Sequence, residues 1–174
     1  MRIIIRLCLA VLSVHLVVGC AFHPKQSDCF LADNWNLSVD TWENWTVSYQ
    51  TGKNYYLAHV IYNYPNSTNI IFVPGDSLCF KSKAFPNPDQ LYSARMLSEF
   101  SDSLCVDLEE LINKANFVIN NNIQMITGVD GSVLIQLMRD KGHFLLKVRN
   151  ADCIDSVRKK HFHLIDNDWY ENRP

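Results

Sequence analysis

Ile123-Gln-Met-Ile-Thr-Gly-Val-Asp-Gly-Ser-Val-Leu-Ile-Gln-Leu-Met138, continued by His143-Phe-Leu-Leu-Lys-Val-Arg149, carries the firmest structural signal in this chain. Three short runs, 123–127, 132–138 and 143–149, are rich in apolar and β-branched residues. Val129-Asp130-Gly131 and Asp140-Lys141-Gly142 separate them. Turn residues of this kind between apolar runs predict an antiparallel three-stranded meander. In the third run Phe144, Leu146 and Val148 share one face. His143, Lys147 and Arg149 share the other with Leu145, and that face is expected to be half wet.

Upstream lies a different periodicity. Pro86-Asn87-Pro88-Asp89-Gln90 opens like a helix, with Asn87 as N-cap, Pro88 at the first helical position and Gln90 closing a capping box. Leu97, Phe100, Leu104, Leu108, Leu111 and Ala115 follow at spacings of three and four. That pattern predicts one amphipathic helix over about 88–115, long or broken at Ser101-Asp102-Ser103. Before it, Trp45 to Gln50, 54–63, Ile70 to Val73 and Leu78 to Phe80 read as strands. The 54–63 run is apolar on both faces, which predicts a strand covered on both sides. Asp40-Thr-Trp-Glu starts a short helical turn. The tail, 158–174, is polar with Phe162, Trp169 and Tyr170 as anchors. The fold class is therefore α+β: a mainly antiparallel sheet, one long or broken helix and a C-terminal meander.

The chain begins with Arg2 and Arg6, an apolar run from Leu7 to Val18, then Gly19-Cys20. The run is shorter than the roughly 20 apolar residues a membrane span needs, and its charged start fits an export signal. Leu16-Val17-Val18-Gly19-Cys20 resembles the lipobox of bacterial lipoproteins. The resemblance implies cleavage before Cys20 and acylation of its thiol and amine, which anchors the protein to the bilayer. Ala21 follows Cys20 where this class uses Asp to divert sorting, so the implied location is the outer membrane, facing the periplasm. An ordinary secretory signal cut near Gly19 is the alternative. The expected organisation is a signal at 1–19, a tether at 20–28 and a single globular domain at 29–174.

The mature part, about 155 residues, is an ordinary single-domain length. A formal net charge of −2, without a long basic run, argues against a nucleic-acid partner. With Cys8 in the signal and Cys20 lipidated, Cys29, Cys79, Cys105 and Cys153 remain. An even number in an oxidising compartment predicts two disulfides; their spacing fits no zinc template. Three pairings are open, and Cys29 with Cys79 is the favoured one. Asn36-Leu-Ser, Asn44-Trp-Thr and Asn66-Ser-Thr are N-glycosylation sequons if the chain is eukaryotic.

No catalytic motif emerges. Gly128 to Ser132 lacks the order of a nucleophile elbow, and a hairpin turn explains it. His161-Phe-His163 puts two imidazoles on one face of an extended segment, without a third metal ligand at helpful spacing. No metal, cofactor or enzymatic activity is expected. Trp35, Trp42, Tyr56 and Tyr62 are the candidate ligand-lining residues, packing onto a sheet edge being the commoner fate of such side chains. Small exported lipoproteins commonly act by binding, which points to an inhibitory, immunity-like or envelope-accessory protein whose partner is an exported toxin or envelope component. Asp40-Thr-Trp42 followed by Tyr55-Tyr56-Leu57 and Tyr62 is similar to the opening of tick histamine-binding lipocalins. That resemblance implies a second reading: a secreted glycoprotein holding a small apolar or amine ligand.

Overall fold

The computed structural model describes residues 25–62, 65–100, 104, 106–139, 142–150, 152, 154 and 160–172. Ten strands form one antiparallel sheet: β1 (Trp45–Gln50), β2 (Tyr55–Ile61), β3 (Ser67–Val73), β4 (Cys79–Ser82), β5 (Tyr92–Ser93), β6 (Ile123–Val129), β7 (Ser132–Leu137), β8 (Phe144–Val148), β9 (Phe162–Asp166) and β10 (Trp169–Asn172). Their spatial order is β5-β4-β3-β2-β1-β6-β7-β8-β10-β9. Three α-helices, α1 (Gln26–Asn34), α2 (Ala94–Ser98) and α3 (Leu108–Asn120), and a 3₁₀ turn at Asp40–Trp42 complete the described fold. The α+β expectation holds. Among the described residues no helix is long and apolar enough to cross a membrane.

The sheet grows outward from β1 and β6 because both halves are built from short hairpins, which pair neighbours in sequence at low loop-closure cost. Asp130 and Gly131, both at positive φ, make the two-residue β6–β7 turn between Val129 and Ser132. This is the geometry that matches strand twist. The inner face is read from the register. Tyr49, Tyr56, Phe72, Phe80 and Tyr92 stand opposite one another across β1 to β5. Tyr56 stacks on Phe72 at 4.9 Å. Val47, Ile126, Ile135 and Leu145 continue the face across β6 to β8. Leu97 of α2 and Leu111, Ala115 and Val118 of α3 belong to the same core. A smaller cluster on the opposite face joins Leu146, Val148 and Ile154 to Phe162 and Tyr170.

Five expectations change. The helix does not begin at Asn87; Asn87 Oδ1 accepts from the Asp89 amide in a turn. Ser93 caps α2 and Asp107 caps α3, each accepting an amide three residues on. Pro88 satisfied helix-start chemistry but equally suits a turn, and the hydrophobic stripe follows the caps that are backed by packing. The 20–28 tether is also shortened, because α1 starts at Gln26. That side chain donates to the Asn121 and Asn122 carbonyls and accepts from the Arg139 amide, closing the C-terminal end of α3. β2 is covered on one face only: Tyr56, Ala58 and Val60 are buried, while Tyr55, Leu57, His59 and Ile61 are half-buried. Finally, the polar tail, for which no strand was expected, belongs to the sheet. β9 and β10 form a hairpin, and β10 inserts between β8 and β9.

That insertion dries the middle of the β8 face expected to be half wet, while His143 stays half-buried and Arg149 exposed. Val133, Lys147 and Trp169 face one another on the inner side, so Leu145 and Lys147 lie in the core. Trp169 is fully buried.

Candidate functional site

A trough runs beside α3, and its shape begins with a glycine. Gly128 in β6 carries no side chain, and a Cβ there would fall 2.0 Å from the Trp42 carbonyl oxygen. The 3₁₀ turn therefore lies directly on the strand, and Trp42 is buried against Phe117 of α3, with ring centroids 5.5 Å apart. Two contiguous hollows result, of about 470 and 410 Å³, which share Leu37, Thr41 and Phe117. Leu37, Trp42 and Phe117 supply apolar surface. Asp33, Asp107, Glu109 and Glu110 supply exposed carboxylates at its border.

Lys114 is the cation of this lining, and it is taken. It is 6% exposed, with its ammonium 4.5 Å from the Trp42 ring centre and 5.0 Å from that of Trp45. It donates to the Thr41 carbonyl and pairs with Glu110 at 3.3 Å. Burial pushes its pKa below the ordinary 10.5, and Glu110 opposes that shift without cancelling it. The field left over the trough is negative.

A second lysine repeats the arrangement across the sheet. Lys147 donates to Asp168 at 2.6 Å and to the Trp35 carbonyl at 3.2 Å, between the rings of Trp35 and Trp169. The Trp169 indole donates to the same carbonyl at 3.1 Å. Trp35 and Trp42 are thus first of all lysine cradles that fix the segment from α1 to β1. They border the trough, whereas Tyr56 and Tyr62 line neither hollow. Tyr56 is in the core, its phenol pushed up to about 12 by burial and then by Tyr49. The four aromatic residues proposed as one ligand lining do not converge.

On the inner side of the C-terminal strands sits a group the sequence did not reveal. His143 Nε2 and His163 Nε2 contact the two oxygens of Glu171 at 2.9 and 2.7 Å. Burial raises the Glu171 pKa, but the hydrogen bonds from both imidazoles outweigh it and hold the carboxyl below its ordinary 4.5. His161, the other half of the suspected pair, is exposed. Among the described residues no three His, Cys, Asp or Glu side chains are arranged to hold a metal ion. The cluster is a carboxylate clamped by two imidazoles, and it ties β8, β10 and β9 together. The signal that could have found it is the strand order, which no local pattern encodes.

The remaining candidates are quickly placed. Ser132 Oγ donates to the Val129 carbonyl, as a hairpin residue does. Asn36, Asn44 and Asn66 are all exposed. Cys29 and Cys79 are free thiols, so the favoured pairing is not formed. The reason is topological. Cys29 lies on α1, whose Phe30 packs on Trp169 of β10, whereas Cys79 lies in β4 near the far edge of the sheet. A disulfide needs Cα atoms within about 7 Å. Cys20, Cys105 and Cys153 lie outside the described residues. Comparison with family models, with curated proteins and with solved structures gives no match for this chain.

Proposed function

We propose that this chain is an exported lipoprotein, held to the outer membrane by acylated Cys20 and facing the periplasm. It acts by binding, blocking or accompanying a protein partner such as an exported toxin or envelope component, and not by turnover. The observation that carries the binding role is the trough: apolar Leu37, Trp42 and Phe117 bordered by Asp33, Asp107 and Glu109, with its own cation buried. An apolar centre ringed by like charges suits a partner segment with an aromatic or aliphatic anchor flanked by Lys or Arg. The anchor supplies affinity, and the charges supply association rate and selectivity. Anchoring rests on Leu16 to Cys20.

Both parts have a direct test. Metabolic labelling with a fatty acid should mark the wild type and not Cys20→Ala; an unlabelled wild type overturns the anchoring. A photo-crosslinker at Asn113, on the exposed border of the trough, should capture a partner in the intact envelope. The adduct should vanish in Asp33→Lys/Glu109→Lys, and an adduct indifferent to those charges overturns the trough assignment.

A second reading, a secreted lipocalin-like glycoprotein holding a small apolar or amine ligand, is supported by the exposure of all three sequon asparagines. Endoglycosidase treatment of the native protein that leaves its mass unchanged removes this reading.

A further inference from the structure

The face of the sheet turned away from α3 carries a hollow of the opposite charge. Leu57, Ile71 and Lys81 stand directly opposite one another across β2, β3 and β4. Their chain neighbours Tyr56, Phe72 and Phe80 are buried in the core, so this row points outward. Two residues along, Asn69 of β3 and Lys83, just past the end of β4, extend the same face. These five side chains and the Pro88-Asp89 segment line a hollow of about 680 Å³, within the roughly 300–1,000 Å³ of small-molecule sites. Its border is pre-formed. Ser82 Oγ donates to the Asn69 carbonyl and accepts from the Ala84 amide, which fixes the chain on either side of Lys83. The Asn87 amide donates to the hydroxyl of buried Tyr92, and Asn87 Oδ1 accepts from the Asp89 amide. The charges do not cancel. Lys81 lies 3.6 Å from Asp89, and Lys83 is exposed, so two lysines against one aspartate leave one net positive charge on the lining. Asn69 Oδ1 is engaged with His59 Nδ1 at 3.0 Å, which leaves the Asn69 amide nitrogen as a further donor.

We propose that this hollow binds a free amphiphilic anion with a single aliphatic chain, a fatty acid being the simplest. The aliphatic body lies along Leu57 and Ile71, which the fold leaves half-buried. The carboxylate meets the Lys83 ammonium and the Asn69 amide, a charge-assisted contact that a neutral head group forgoes. One net positive charge suits a monoanion. Asp89 selects against a membrane surface: its carboxylate is 96% exposed at the border and opposes a continuous anionic layer, while a single chain enters beside it. The site is separate from the trough, on the other face of the sheet, and does not depend on it.

Photolabelling of the exported full chain in phosphatidylcholine nanodiscs tests it. The probes are diazirine-bearing dodecanoate, the matching dodecanol, and a diazirine-bearing phosphatidic acid built into the bilayer. Dodecanoate should label the peptides that carry Leu57 or Ile71, located by mass spectrometry, about fivefold more strongly than dodecanol, the effect of one partly exposed ion pair. Phosphatidic acid should not label them. Lys83→Gln should lower dodecanoate labelling by about the same factor, Lys83→Arg should keep it, and Asp89→Asn should raise it. Lys53→Gln, at an exposed lysine in the β1–β2 turn, should change nothing. Residues 53, 83 and 89 are exposed, so circular dichroism of each variant should match the wild type. No dodecanoate label on β2 or β3, equal labelling by acid and alcohol, indifference to Lys83→Gln, or labelling by phosphatidic acid alone overturns the proposal.

Discussion

Lys114 and Lys147 each bring an ammonium group to a backbone carbonyl, a carboxylate and the faces of two tryptophans, yet the settings differ in what lies behind the carboxylate. Glu110, the partner of Lys114, is exposed and sits one helical turn away on the same helix. Asp168 belongs to the β9–β10 turn and meets Lys147 across the sheet at 2.6 Å. Breaking the first pair strands a carboxylate that water rehydrates. Breaking the second leaves a half-buried carboxylate and the Trp35 carbonyl without their common donor. The first clamp shapes an open trough, and the second staples the C-terminal hairpin onto the core. Similar contacts are expected to contribute different amounts because the groups left behind differ, the Trp35 carbonyl and Asp168 losing one shared donor.

The sharpest way to break the comparison is at Gly128. Gly128→Ala forces its Cβ against the Trp42 carbonyl and should cost about 3 kcal/mol in urea unfolding. It should quench the Trp42 environment while leaving the Lys147 cradle in place. Next, Lys147→Met should cost about 2 kcal/mol, below the range for fully buried pairs because Asp168 is partly wet. Lys114→Met should cost less than about 1 kcal/mol, since it removes a charge whose burial is already unfavourable. Equal losses at the two lysines would erase the distinction.

The pH dependence of Lys114 sharpens it further. Its folded pKa is lowered, so between that value and 10.5 the unfolded chain holds the extra proton. Over that window the wild type should gain stability with rising pH relative to Lys114→Met, which equilibrium unfolding across alkaline pH checks. Glu171 runs the other way and is the smallest effect. Its folded pKa is depressed, so its contribution is present above 4.5 and is lost as pH falls through the folded value. Glu171→Gln should remove that acid loss, an effect of about 0.5 kcal/mol at a partly solvated site.

The strands 123–149 were legible because their information is local. A period of two and the Asp130-Gly131 turn specify a hairpin within a dozen residues. The helical stripe was legible but not the helix starts, since Asn87-Pro88, Ser93 and Asp107 all carry cap chemistry and only packing chooses among them. α1 escaped because Phe30 is almost the whole of its buried face. The tail hairpin escaped because half its side chains are polar and its partner, β8, lies on the far side of a long connection. The same long-range pairing hid the candidate sites. His143, His163 and Glu171 are gathered by strand order, and Asp33 reaches the trough bordered by α3 only through the fold.

Local chemistry alone determined the antiparallel hairpins and the helical character of 108–115, because each depends on neighbours within one or two turns of chain. Only the tertiary structure decided that β8 is covered on both faces, where β10 inserts, and that Lys114 and Lys147 turn inward onto tryptophan. Those choices rest on non-local pairing and on the balance between desolvating a charge and supplying its partners. That balance exists only once the partners have been brought together.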